Sequence, residues 1–178
     1  EDLDMKDIIA NISLNMANIF CVLDDYDSAM MYYKKAIHLA AESEEYSTLL
    51  TSMSNMLALL YSAHPDRFDE IVPETNMFRA MKLPDLPMSD YTRSIMRGIE
   101  FSSKKDYASA EREFINSLKQ INTVYTPERF RLQSYSLLAT LEYIRGNNPK
   151  AVFWLKKSLN ESGAPDIRAS IYYRLRQC

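Results

Sequence analysis

A small residue between large apolar neighbours recurs along this chain at nearly equal intervals of 41, 40 and 41 residues. Such a period is typical of helical repeats, in which each unit needs a neighbour to bury its apolar face. The four small residues are Ala17, Ala58, Gly98 and Ala139. In three units an aromatic residue follows three positions later, at Phe20, Tyr61 and Phe101.

Glycine is scarce, which restricts the fold class further. The chain has 3 glycines in 178 residues, where average usage predicts roughly twelve. Sheet-rich domains and phosphate-binding loops use more glycine than this for their turns. We therefore predict an all-α fold. No apolar run reaches the roughly 18 residues that a transmembrane helix needs, so we expect no membrane insertion by this segment.

A second helix pattern follows in the first and third units. Ala29 and Ala110 are each followed at four residues by an aromatic side chain, Tyr33 and Phe114. Three residues further on comes a small residue and then an aliphatic one. Spacings of three and four place these side chains on one helix face, where small residues allow two helix backbones to approach.

This pattern resembles the tetratricopeptide repeat, which implies a right-handed α-α superhelix, a solenoid of antiparallel helix pairs. The period of about forty is longer than the usual thirty-four, the early Trp of the repeat is absent, and the second unit lacks the second-helix pattern. The whole chain, 1–178, is interpreted as one array with units at about 4–42, 43–83, 85–122 and 126–162. A partial fifth helix at 164–178 indicates a fragment of a longer protein, or alternatively a capping helix.

Helix ends are predicted from capping residues, glycines and prolines. Thr126-Pro127 and Asn148-Pro149 are typical of an N-cap followed by proline at the first helical position. Glycines just past helix ends favour a left-handed residue, and a proline inside a predicted helix either starts it late or kinks it. The other predicted caps are Asp4, Ser43 and Ser89, the two end glycines are Gly146 and Gly163, and the interrupted helix runs from about Pro73 to Lys82.

No residue pattern supports catalysis, a cofactor or a metal site. His38 and His64 have no second ligand at a suitable spacing, and Cys21 and Cys178 are too far apart in sequence to suggest a zinc site. The acidic run 24–27 is interpreted as a turn that favours the N-terminus of the next helix. A net charge of −3 argues against a nucleic-acid partner.

The resemblance implies a concave surface lined by the first helix of each unit. Its lining is uncharged and polar with aliphatic patches, and Asn and Gln amides can hydrogen-bond both polar groups of a peptide backbone. The implied binding residues are Asn11, Asn15, Asn18, Ser52, Asn55, Leu59, Thr92, Ile95, Ile99, Gln133, Ser136, Thr140 and Tyr143. The alternative, that these residues are merely exposed and have no ligand, stays open.

The expected function is non-enzymatic binding of a protein or peptide. The long period and low glycine content resemble the helical-repeat sensor portions of bacterial signalling regulators, which implies a role in signal transduction. The alternative is a stand-alone scaffold or assembly adaptor without a switching role. A homodimer is left open, and so is the compartment: the cytoplasm, or the water-exposed part of a membrane-anchored signalling protein.

Overall fold

The computed structural model of the chain describes residues 2–121 and 128–163 together with residue 175. Eight α-helices and one short 3₁₀ helix form the regular structure of this part, and no strand occurs in it, which confirms the all-α fold. The helices are α1 (Asp2–Val22), α2 (Tyr26–Glu42), α3 (Tyr46–Ala63), α4 (Val72–Ala80), α5 (Pro87–Ser103), α6 (Tyr107–Ile121), α7 (Glu128–Ile144) and α8 (Asn148–Glu161), with the 3₁₀ helix at Phe68–Ile71 before α4.

The chain divides into two compact parts, which we name the N-terminal half (Glu1–Thr92) and the C-terminal half (Arg93–Cys178), and the division falls inside α5. In the N-terminal half α1 packs along α2, and α2 packs along α3. In the C-terminal half α7 packs against both α6 and α8. Contact between consecutive helices is the arrangement of helical hairpins. A single superhelical array over the whole chain remains a prediction.

Three hairpin turns share one geometry, and each lies seven residues after one of the small residues of the repeat. The residue at this position has a positive φ: Asp24 (56°), Lys105 (62°) and Gly146 (75°). The next N–H donates to a carbonyl five residues earlier, which closes the preceding helix in a Schellman motif. For Gly146, the predicted left-handed residue is confirmed. The recurrence in the sequence thus corresponds to a recurring turn.

The second unit of the repeat departs from this geometry at Pro65. Proline occupies the place of the left-handed residue, and its ring locks φ at a negative value, so the same turn cannot form. Helix α3 ends at Ala63, and α4 begins only at Val72, with Pro73 in its first turn. This proline starts the helix rather than kinking it, as predicted, although the helix ends at Ala80 and not at Lys82.

Several predicted helix ends are wrong by one to three residues. Helix α3 begins after Glu45, whose carboxylate accepts from Thr48 N at 2.5 Å, because a left-handed Glu44 lies between it and the predicted cap Ser43. Ser43 instead ends α2, with its hydroxyl donating to the Leu39 carbonyl at 3.0 Å.

The start of α8 is also displaced from the prediction. Its N-cap is Asn147 and not Asn148, because Asn147 immediately follows the left-handed Gly146. The predicted left-handed conformation of Gly163 is wrong: its φ is not positive, and α8 instead ends in an extended Ser162 (ψ 121°).

Two further predicted caps lie inside their helices. Helix α1 includes Asp4, and α5 already begins at Pro87, so that Ser89 lies within its first turn and donates to the Pro84 carbonyl at 3.0 Å. The predicted start at Thr126-Pro127 lies outside the described residues. So does the predicted fifth helix except for Leu175, which packs against the buried pair Ala139 and Leu155.

Candidate functional site

A row of asparagine amides connects α1 to α3 in the N-terminal half of the chain. Asn11, Asn15 and Asn18 follow one another at spacings of four and three, which places them on one face of α1. Thr48 Oγ1 donates to Asn11 Oδ1 at 2.9 Å, and Asn55 Nδ2 donates to Asn18 Oδ1 at 3.2 Å. The structure therefore brings together four of the predicted binding residues on α1 and α3. We name this group the amide row, and it consists of Asn11, Asn15, Asn18 and Asn55.

Asn18 is held in one orientation by two hydrogen bonds. Its Oδ1 accepts from Tyr33 Oη at 2.8 Å as well as from Asn55 Nδ2. Tyr33 is 3% exposed, so this hydroxyl comes from the core of the α1–α2 hairpin. Because both bonds engage Oδ1, Asn18 Nδ2 has no partner among the described residues. The half-buried side chain thus presents an oriented donor.

The neighbouring amides of the row are more exposed. Asn15 is exposed and makes no hydrogen bond to another described residue. Asn11 is also exposed, and its Nδ2 donates to the Asp7 carbonyl at 3.0 Å. Asn15 therefore offers both a donor and an acceptor to a ligand, whereas Asn11 is largely engaged within the protein.

Five predicted lining residues are buried, so their assignment to an exposed surface is wrong. Four of the five side chains are at most 1% exposed, and the fifth, Thr140, is 5% exposed. Hydroxyls of two of them bond to the backbone one turn earlier, which allows small polar side chains to lie in a helix core. The five residues are Ser52, Thr92, Ile95, Ile99 and Thr140.

The remaining predicted positions keep some exposure. Leu59 is half-buried on α3. Gln133 and Ser136 are half-buried on α7, and Tyr143 is 51% exposed near the end of the same helix. Ligand binding by any of these residues remains a prediction.

An exposed apolar face on α1, next to the amide row, was not predicted from the sequence. Its side chains are between 52% and 78% exposed, although most of them are branched aliphatics. The signal was present: α1 carries large apolar residues on both sides, around the buried Ala10 and Ala17 and opposite them. We name this face the α1 stripe, and it consists of Met5, Ile8, Ile12, Ile19 and Val22, together with Leu23 directly after the helix.

Two buried or half-buried groups outside the amide row have structural roles. The carboxylate of Glu74 is 3% exposed, and its Oε1 lies 3.5 Å from Lys34 Nζ and 3.7 Å from His38 Nε2, which ties α4 to α2. Burial raises the pKa of the Cys21 thiol, although a hydrogen bond with Tyr33 Oη, 3.4 Å away, opposes the shift. A thiol with a raised pKa stays protonated at neutral pH and is a poor nucleophile.

Among residues 2–121, 128–163 and 175, no group of three or more His, Cys, Asp and Glu side chains is placed to hold a metal ion. None of the helices described here is long and apolar enough to cross a bilayer. No known protein family, curated protein or solved structure matches this chain. The amide row and the α1 stripe are therefore the surfaces from which a function is inferred.

Proposed function

We propose that this chain is a non-enzymatic, protein-binding helical-repeat module that holds an extended peptide along the amide row. The observation that carries the proposal is the unpartnered Nδ2 of Asn18, held in place by the bonds that Tyr33 and Asn55 donate to Oδ1. A donor that is already oriented loses little conformational entropy when a ligand carbonyl accepts from it. Asn15, one turn away, adds a second donor and an acceptor.

The spacing of the amides suits an extended peptide backbone. Asn15 and Asn18 are three residues apart, which is about 4.5 Å along the helix axis. Peptide groups that point the same way along an extended strand recur about every 6.7 Å. The two side chains bridge the difference of about 2 Å when their amides diverge along the helix, so that Asn15 and Asn18 reach alternate peptide groups of one ligand strand. Recognition of this kind reads the backbone, so it tolerates many ligand sequences.

The substitution Asn18→Asp tests the proposal. A carboxylate keeps the acceptor for Tyr33 and Asn55 but replaces the Nδ2 donor by an oxygen. We expect the melting temperature to stay close to that of the wild type, and binding to an array of extended peptides to weaken about fivefold to tenfold. The matched control is Asn160→Asp on α8, where the amide is exposed and has no partner among the described residues.

Three results would overturn the proposal. One is a wild-type chain that binds no peptide of the array above the background of an unrelated helical protein. Another is an Asn18→Asp variant that folds and binds its peptides as tightly as the wild type. The third is a stronger effect of Asn160→Asp than of Asn18→Asp, because the ligand would then bind near α8 and not at the amide row.

A sensor role in a bacterial signalling protein is part of the proposal, because the amide row bridges two helices. Asn11 and Asn18 on α1 bond to Thr48 and Asn55 on α3, so a ligand on the row acts on the contact between these helices. For a sensor, we expect peptide binding to change amide hydrogen exchange in both α1 and α3. For the alternative, a stand-alone scaffold, protection would increase only at the residues that touch the peptide.

A further inference from the structure

The repeat shows what normally covers the face that α1 exposes. Moving 41 residues along the chain, as from Ala17 to Ala58, places Ile8, Ile12 and Ile19 at positions of α3 that are at most 1% exposed. Moving 122 residues, to the unit of Ala139, leads to positions of α7 with at most 3% exposure. The equivalent residues are Leu49, Met53 and Leu60 on α3, and Phe130, Ser134 and Leu141 on α7.

These positions are buried where the preceding helix in the sequence is long and packs against the helix that carries them. Helix α3 packs along α2, of 17 residues, and α7 packs along α6, of 15 residues. The third unit, whose first helix follows the 9-residue α4, has the polar residues Ser89, Arg93 and Glu100 at the same places. Apart from Ser134, these positions are therefore apolar where a long amphipathic helix precedes them. The α1 stripe has the apolar pattern without such a helix among the described residues.

The charges around the α1 stripe argue against a second copy of this chain as the occupant. The sequence places Asp2, Asp4 and Asp7 at the beginning of α1, and Asp24 and Asp25 directly after its end. Two copies of α1 would bring acidic ends together whether they ran parallel or antiparallel, and like charges at an interface are unfavourable. The only cation of α1, Lys6, already pairs with Glu42 at 3.2 Å.

We propose that the α1 stripe binds an amphipathic helix of another protein, with apolar residues on one face and Lys or Arg at both ends. The helix lies along α1 as α2 lies along α3, and its apolar face covers Ile8, Ile12 and Ile19. Its basic ends lie against the acidic ends of α1. This surface differs from the amide row in both the residues and the shape of the ligand, a helix rather than an extended strand.

The probe is a labelled synthetic peptide with the sequence 26–42, which is α2, and two added lysines at each end. A second peptide carries two glutamates at each end instead. Binding to the full chain is measured by fluorescence anisotropy, and peptide helicity by circular dichroism. The protein variants are Ile8→Asn with Ile12→Asn, and the matched control Met31→Asn, whose side chain on α2 is 56% exposed.

We expect the lysine-flanked peptide to bind as a helix, more tightly than the glutamate-flanked one, with affinity falling as salt rises from about 50 to about 500 mM. The Ile8→Asn, Ile12→Asn variant should fold normally, because both side chains are more than half exposed, and bind about tenfold or more weakly. Met31→Asn and Asn18→Asp should bind this peptide as the wild type does.

Three outcomes would overturn the inference. The first is no saturable binding of the lysine-flanked peptide, and the second is equal affinity for the double variant. The third is a wild-type dimer in sedimentation equilibrium that the double variant converts to monomers, because the stripe would then be occupied by a second copy. The Asn18→Asp variant keeps this result independent of the extended-peptide proposal.

Discussion

The ring of Phe114 on α6 lies directly against the backbone of α5 at Gly98. A Cβ added at Gly98 would lie 2.6 Å from Phe114 Cδ1 and 3.0 Å from Cζ, closer than carbon atoms can approach. The side chain of Phe114 is fully buried. In the first unit the equivalent aromatic is Tyr33 and the small residue is Ala17, and there the hydroxyl reaches Asn18 on α1.

Gly98→Ala should therefore destabilise the C-terminal half of the chain. Overpacking costs about 1–3 kcal/mol, and helix propensity returns about 1 kcal/mol of this, so we expect a net loss of up to about 2 kcal/mol in the free energy of unfolding. Urea denaturation measures the loss. The control is Gly163→Ala, where no atom lies within 4 Å of an added Cβ and the change should stay within about 0.5 kcal/mol. Phe114→Leu should recover part of the loss in the Gly98→Ala background, and the absence of coupling would contradict the contact.

The helix caps Asp25 and Asp106 should make stability depend on acid pH. The side-chain hydrogen bonds with Ser28 and Ser109 are the main cause that lowers the pKa of each carboxyl. A lowered folded pKa means that the stabilisation is complete above the unfolded value of about 3.9 and is lost as pH falls through the folded pKa.

The variants Asp25→Ala and Asp106→Ala test this dependence. Each should lower the melting temperature at pH 7, and the difference from the wild type should shrink as pH falls below about 4. Carbon-13 NMR titration of the two carboxyls should give midpoints below the unfolded value. Asp25→Asn keeps an uncharged acceptor for Ser28 N, so it should lose less stability at pH 7 than Asp25→Ala does. A gap that stays constant down to pH 2 would exclude a role for the ionised caps.

Glu142 should be the most sensitive acidic residue of α7. Its side chain is 0% exposed, and its carboxylate lies 2.9 Å from Lys150 Nζ, 3.2 Å from Arg145 Nη1 and 3.1 Å from Asn147 Nδ2. Glu142→Gln leaves these donors without a full partner, so we expect a loss of about 1–3 kcal/mol in chemical denaturation. Glu42→Gln, in the exposed pair with Lys6, is the control and should cost under about 1 kcal/mol. Similar losses for both variants would show that the buried network adds nothing.

The sequence predicted the helices where spacing, capping and turns agree. The interval between Ala17, Gly98 and Ala139 placed three hairpins, because each small residue precedes a left-handed turn by seven positions. The prolines placed the irregular segment between α3 and α4. Helix starts were less predictable: Ser43 and Asn148 are good capping residues by type, but the neighbouring left-handed turns determine where the chain can begin a helix.

The candidate site was predictable only in part. The resemblance to the tetratricopeptide repeat implied Asn11, Asn15 and Asn18 as exposed residues of α1, yet it could not show that Tyr33, fifteen residues from Asn18, orients it. Burial of Thr92 and Ile95 depends on what packs around α5, which a local pattern does not contain. The same limit hid the α1 stripe, since apolar residues at helical spacing predict burial whether or not a covering element is present.

Three of the four left-handed positions in the described chain are not glycine. Asp24, Glu44 and Lys105 each hold a conformation that costs a residue with a Cβ on the order of 1 kcal/mol. Glycine at Glu44 and Lys105 would relieve this strain without altering any helix surface. The protein therefore keeps an unused margin of thermal robustness in these two bends, which an engineer could exploit while leaving both proposed binding surfaces untouched.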